Sequence, residues 1–321
     1  MSAIEAEGLT RTFIADGQRV EAVRSISFTV ASGEIFGFLG RDGAGKTTTL
    51  RMLATLLRPD AGTATVMGCD LRRDPTGVRR RIGFVAQQGG ADANATVRQE
   101  LVLQARLHRL SSTDAAARAD AVAAMFDLTE LMDRQSAHLS GGRRRRFELA
   151  LGFVHRPGLV VLDEPTAGLD PPSRAQLWRH IQRLREDHGV TVFLTTNHLA
   201  EADALCDQVL VLDEGRVVAQ DTPEALKRKV GSDVVIVKVP GGADAARAAL
   251  EACATGPVAV DGETLRFTAR HDEALVTTVV RTLEAAEVKP TAIEVTRPCL
   301  DDVLLAMTGR QLAGAAPVLP S

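Results

Sequence analysis

Three short segments carry side chains whose types and spacing suit work on phosphate groups. Gly40, Arg41, Asp42, Gly43, Ala44, Gly45, Lys46 and Thr47 match the pattern G-x-x-x-x-G-K-[ST], with Thr48 following. Glycines let backbone N–H groups curl around phosphate oxygens, and a helix start adds positive potential. In this pattern the lysine reaches the β- and γ-phosphates and the Thr47 hydroxyl ligates Mg2+. Leu159 to Leu162 is an apolar run ending in two carboxylates, Asp163 and Glu164. At the C-terminal edge of a strand, Asp163 is placed to hold a magnesium shell and Glu164 to activate a water. Apolar strands ending in Asp-Glu are common, and the pair gains its meaning from the phosphate loop upstream. Ser140, Gly141 and Gly142 precede a run that reads as a helix. Ser140 suits the N-cap, and the exposed N–H groups of a Ser-Gly-Gly turn form a second anion site.

The surrounding pattern predicts elements that place these residues. Ser25 to Val30 alternates like a half-buried strand, and Glu34 to Leu39 is a near-continuous apolar run, as in a buried parallel strand. Helical spacing follows from Lys46 to Leu57. Strand, glycine loop and helix open a nucleotide-binding α/β unit. Thr96–Leu110, Ser112–Phe126 and Gly142–Val154 read as helices, a helical insert over about residues 90–155. Alternation returns with a strand at Leu159–Leu162, a helix at Pro171–Asp187, a strand at Val190–Thr195, a helix at Leu199–Leu205 and a strand at Gln208–Leu212. That order implies a largely parallel sheet covered on both faces. A boundary is expected near Gly231, giving a first domain over 1–230 and a small α+β domain over 231–310. The latter has strands at Val234–Val239, Thr264–Thr268 and Ala292–Thr296, and helices at Ala243–Cys253 and Asp272–Glu287. Asp301–Met307 reads as a last short helix and 311–321 as a frayed tail.

Composition narrows the class. The 321 residues suggest about two domains. Their 45% hydrophobic and 25% charged content excludes fibrous or wholly disordered chains. Cys69, Cys206, Cys253 and Cys299 form no C-x-x-C pair. They read as small buried hydrophobes in a reducing compartment. The net charge is −3; from Gly231 onward 12 acidic and 8 basic residues give −4, leaving +1 for the remainder. Neither part is basic enough for a general nucleic-acid binder. No apolar run approaches the roughly 18 residues of a spanning helix, and the start lacks the basic and apolar regions of a signal peptide. The expected location is therefore cytoplasmic.

In this order the three segments resemble the ATP-binding subunit of ABC transporters, over about Leu9 to Lys229. The resemblance implies a P-loop NTPase fold of the α/β class with ATP and Mg2+ as ligands. Gln87, at the end of Ile82–Gln87, is similar to the family's Q-loop glutamine, which contacts Mg2+ and the membrane partner. Thr166–Asp170 is similar to the D-loop, so Asp170 is expected at the nucleotide. Phe13 stands where the family has an aromatic that stacks on adenine; otherwise it is the core residue of an N-terminal strand. Arg297–Gly309, the run Val78–Gly83 and Gly141–Arg146 resemble the daunorubicin-resistance-type drug-export branch. Implied partners are an integral-membrane permease, which would hold the chain at the inner face of the membrane, and a second copy of the chain. In that head-to-tail dimer, Ser140–Gly142 of one copy closes on the γ-phosphate held by the other. Nucleic acid is not expected. The rival readings are a soluble ABC-type ATPase acting in regulation or on nucleic acid or the ribosome, and a drug-sequestering module.

Departures from the family's pattern are confined to a few positions. Arg41 and Asp42 stand where Pro and Asn are usual, and Asp42 adds negative charge near the phosphates. Arg143 replaces a common Gln. Arg143–Arg146 has two readings, a partner's γ-phosphate site or a solvated helix face. Asn197 occupies the place of the switch histidine, with His198 one step later. Both are carried as catalytic candidates, with Glu164 expected to take the proton-accepting work.

Overall fold

The computed structural model describes residues 1–15, 17–230, 232–241, 243–270, 272, 274–296, 299, 300 and 303. Two long strands, β1 (Ser2–Ala15) and β2 (Gln18–Ala31), form a hairpin. The fully buried β3 (Ile35–Leu39) then feeds α1 (Lys46–Leu53). Next come β4 (Ala61–Val66), β5 (Cys69–Asp70), α2 (Pro75–Arg81) and β6 (Ile82–Val85). The helical insert holds α3 (Val97–Leu107), α4 (Ser112–Met125) and α5 (Gly141–Phe153). Alternation resumes as β7 (Leu159–Asp163), α6 (Pro171–Glu186), β8 (Thr191–Thr196), α7 (Leu199–Leu205), β9 (Gln208–Asp213) and β10 (Arg216–Asp221). The chain continues through α8 (Pro223–Val230), β11 (Asp233–Lys238), α9 (Ala243–Leu250), β12 (Ala259–Asp261), β13 (Thr264–Ala269), α10 (Leu275–Ala285) and β14 (Ala292–Thr296).

A six-stranded sheet, ordered β10-β9-β3-β8-β7-β6, is parallel except for its β10 edge. Every residue of β3, β7 and β8 is buried, as expected where helices or a second layer cover both faces. A four-stranded antiparallel sheet, β2-β1-β4-β5, packs on it. The joint is a cluster of rings. Phe28 of β2 lies 5.3 Å from Phe38 and 5.9 Å from Phe193, and Phe36 stacks on Phe193 at 5.7 Å and 9°. Phe36 and Phe193 face each other in register, so strand periodicity delivers all the β3 and β8 rings to one face. Burying each ring contributes on the order of 1.5–3 kcal/mol.

Contacts divide the chain into two units, the first spanning Met1–Pro223 and the second beginning at Glu224. The division falls ahead of Gly231, because α8 from Glu224 onward belongs to the second unit. In that unit, β12-β13-β11-β14 is a wholly antiparallel sheet in a split β-α-β-β-α-β order. Val235, Val237, Leu265, Phe267, Val279 and Leu283 form its core. The expected helix at 301–307 and tail at 311–321 lie largely outside the described residues, as does most of Arg297–Gly309. Among the described residues no helix is long and apolar enough to cross a membrane. The cysteine expectation needs correction: Cys69 and Cys206 are buried, but Cys253 is half-buried and Cys299 exposed.

Candidate functional site

Parallel register brings the ends of three strands to one edge. Leu39 of β3 pairs with Thr196 of β8, and Asp163 of β7 pairs with Thr195. The phosphate loop, the Asp-Glu pair and the Asn197–His198 step therefore leave the sheet side by side. This is the edge where open α/β sheets bind ligands.

Two glycines show why the loop has its shape. Gly45 has φ 104°, and a Cβ there would run into the Ala22 carbonyl oxygen of β2. A Cβ on Gly40 would strike the Leu212 carbonyl oxygen of β9. The loop is thus wedged between two strands, and α1 begins directly behind it at Lys46. Lys46 is buried, and its Nζ donates to the carbonyls of Gly40 at 2.6 Å and Arg41 at 3.0 Å. The same ammonium is 3.7 Å from Glu164 and 4.0 Å from Asp42. Burial lowers its pKa, while the carboxylates of Glu164, Asp42 and Asp163 oppose that shift. Glu164 is pushed upward, first by burial and then by Asp42 and Asp163, against the pull of Lys46.

Asp163 is gripped by hydroxyls. Thr195 Oγ1 donates to its Oδ1 at 2.7 Å, and Thr47 Oγ1 donates to the same oxygen at 3.1 Å. The Glu164 N–H donates to the Thr195 carbonyl and lies 3.0 Å from the Thr195 hydroxyl. Gln87 Nε2 donates to Glu164 Oε2 at 2.8 Å. Glu164 itself sits at φ 44°, in the left-handed region that non-glycine residues seldom occupy. The Thr47 hydroxyl, the Asp163 carboxylate and the Gln87 amide form a hard-oxygen donor set that fits Mg2+.

The remaining expected residues fall elsewhere on the first unit. Ser140 occupies the N-cap position of α5 but makes no capping hydrogen bond and is exposed. Gly141 and Gly142 abut Leu169 and Ser173 of the turn into α6. Among the described residues, the side-chain partners of Lys46 are Gly40, Arg41, Asp42 and Glu164, none of them in this segment. Asp170 caps α6, accepting from the Ser173 N–H at 3.2 Å. Phe13 lies on the β1–β2 hairpin opposite Val20, 36% exposed, with the Arg11 guanidinium 5.0 Å over its ring. Its core alternative is excluded by that exposure. His198 N-caps α7, and the side-chain oxygen of half-buried Asn197 has no partner. Gly43, Ala44 and Thr48 line the loop and the first turn of α1.

The arginine run corrects the solvated-face reading. Arg143 and Arg144 lie toward solvent, whereas helical rotation buries Arg145 and Arg146 at 7% each. Arg145 Nε donates to Pro165 O at 2.7 Å, Nη1 to Ala86 O at 2.6 Å and to Glu148 at 2.7 Å, and Nη2 to Asp163 O at 2.9 Å. One guanidinium thus fixes the backbone beside Gln87, Asp163 and Glu164. Sequence reasoning missed this residue and Thr195; helical period within the run was the available signal for the first. It also missed Glu201, a fully buried carboxyl on α7 that accepts from Trp178 Nε1 at 3.0 Å. Burial raises its pKa, opposed by the hydroxyls of Thr196 and Thr166 and by the Trp178 indole.

Comparison with known proteins agrees with this geometry. The ABC transporter family model matches residues 23–167. The chain is 40% identical over 313 residues to the daunorubicin resistance ATP-binding protein DrrA2 of Streptomyces coeruleorubidus, covering 96% of each. It is 36% identical to the Nod factor export ATP-binding protein I of Ralstonia nicotianae, covering 96% of this chain and 94% of that one. The solved structure of an ATP-binding subunit of an ABC transporter superposes with a TM-score of 0.62 at 27% identity, covering 71% of this chain and 92% of that chain. A dimeric ATP-binding cassette with ADP and Pi gives a TM-score of 0.63 at 23% identity, covering 68% and 98%, a likeness of fold. With such identity sustained along nearly the full length of its relatives, the chain belongs to the ABC transporter family of ATP-binding, ATP-hydrolysing subunits, in the daunorubicin-resistance-type branch.

Proposed function

We propose that this ATPase powers export of a hydrophobic drug-like molecule through a separate integral-membrane permease, which holds it at the inner face of the membrane. The observation that carries the reading is the meeting of Lys46, Thr47, Gln87, Asp163 and Glu164 at one sheet edge. The relatives' names, drug resistance and Nod factor export, favour export over regulation or nucleic-acid work.

In this reading Lys46 and the loop N–H groups of Gly40–Thr48 hold the β- and γ-phosphates, and Phe13 stacks on the base. Thr47, Gln87 and Asp163 would hold Mg2+, which would supply neutralisation of phosphate charge. Glu164 orients and deprotonates the attacking water. Its pKa, raised by burial, suits a group that takes up a proton. Asn197 donates an amide N–H to a phosphate oxygen, and His198 stays beside it. Gln87, tied to Glu164, reports the site's state to the permease.

The exposed Ser140–Gly142 start of α5 is assigned to the partner copy's nucleotide, alongside Asp170. The exposed, uncapped Ser140 supports that assignment. Mixing Lys46→Ala with Ser140→Arg, each inactive alone, is expected to restore part of the ATPase activity. One mixed site then keeps a complete phosphate loop and a complete Ser-Gly-Gly turn. Mixed dimers that form yet stay inactive would refute the trans arrangement.

A further inference from the structure

One ammonium and three carboxylates crowd the mouth of the phosphate loop. Lys46 Nζ lies near both Asp42 and Glu164, and Asp163 adjoins through Thr47. Two of the carboxylates end the buried strand β7 or come directly after it, where the chemistry needs them. Asp42 is different. Its side chain is 80% exposed and 4.0 Å from Nζ, and it makes no hydrogen bond among the described residues. Among those residues, neighbouring Arg41 forms no ion pair that would offset it.

The position of Asp42 says which phosphate it meets. The loop runs from Gly40 and Arg41, whose carbonyls accept from Nζ, to Gly45 at the helix start. The lysine's tip serves the β- and γ-phosphates, while the backbone N–H groups near the helix start serve the α- and β-phosphates. Asp42 shares that tip with Glu164, so it faces the γ end. A fixed negative charge there opposes the charge that distinguishes a triphosphate from a diphosphate.

We propose that Asp42 is a specificity-determining residue that discriminates against the γ-phosphate and holds down the affinity for ATP relative to ADP. The proposal rests on the reading of this edge as the ATP site. Its consequence is a site whose occupancy follows the ATP concentration instead of saturating at low levels.

The test is calorimetric titration of the full-length chain with Mg-ATP and Mg-ADP, using wild type, Asp42→Asn, Asp42→Glu and Lys46→Ala. Asp42→Asn is expected to tighten ATP about tenfold and ADP about threefold or less, with the gain shrinking in about 0.5 M salt. Asp42→Glu, which restores the charge, is expected to stay within about twofold of wild type. Equal tightening of both nucleotides, or weaker ATP binding in Asp42→Asn, overturns the proposal. If wild type binds Mg-ATP in a Lys46-dependent manner and the ATP-to-ADP ratio does not move in Asp42→Asn, only the role of Asp42 falls. If Lys46→Ala binds Mg-ATP as wild type does, the site assignment falls with it.

Discussion

At Glu164 the backbone leaves the strand in a left-handed conformation, and three neighbours hold it there: the Thr195 carbonyl, the Thr195 hydroxyl and the guanidinium of Arg145. Such strain persists where surrounding contacts over-determine it, and it gathers at functional sites. His198 commits its backbone to the start of α7. Its N–H donates to Thr196 Oγ1 at 2.9 Å, and its carbonyl accepts from the Glu201 N–H at 3.0 Å to start α7. Steady-state ATPase assays are therefore expected to show turnover abolished in Glu164→Gln. His198→Ala is expected to lose less than tenfold, under about 1.4 kcal/mol of barrier. A hundredfold loss in His198→Ala at unchanged ATP affinity would move the switch role to that residue. The loop, Asp163 and Glu164 were legible because their chemistry is written in consecutive residues after apolar runs. Arg145, Thr195 and Glu201 were not, because their roles come from partners far along the chain.

Between elements, a pair of imidazoles ties three together. His108, at the end of α3, stacks on His155, just after α5, at 3.7 Å and 3°, and His155 Nε2 meets the Ile82 carbonyl of β6 at 3.0 Å. Burial lowers the His155 pKa to about 4, with the charges of His108 and Arg118 adding to the shift and the Ile82 carbonyl opposing it. The folded protein thus keeps His155 neutral, while the unfolded chain takes up a proton near the ordinary value of about 6.5. Stability is full above that pH and falls as pH drops from about 6.5 toward 4. Thermal melts between pH 7.5 and 5 are expected to show a steeper loss in wild type than in His155→Gln. Equal slopes would mean that His155 is not a proton-linked group. The central parallel strands and long helices were readable from apolar runs and helical period. Strands β4, β5, β6 and β10 were not. They are short, glycine-bearing or half-exposed, and their stability comes from nonlocal pairing.

For the whole chain, every candidate site residue lies in the unit Met1–Pro223. Ending the chain at Pro223 is expected to leave Mg-ATP affinity within about threefold of wild type, roughly 0.6 kcal/mol, while assembly or export falls. A folded truncate that no longer binds ATP in calorimetry would show that the second unit completes the nucleotide site. In the sequence Gly231 reads as punctuation, whereas the contacts divide at Glu224, within α8. The heat of nucleotide binding depends on how the first unit holds its lysine. Lys46 gives its ammonium hydrogens to the Gly40 and Arg41 carbonyls. Arrival of a polyphosphate therefore trades one set of partners for another, and the lysine needs no further ordering. The new acceptors are anionic where the carbonyls are neutral, so the exchange strengthens the lysine's hydrogen bonds, and nucleotide capture should weaken as salt rises.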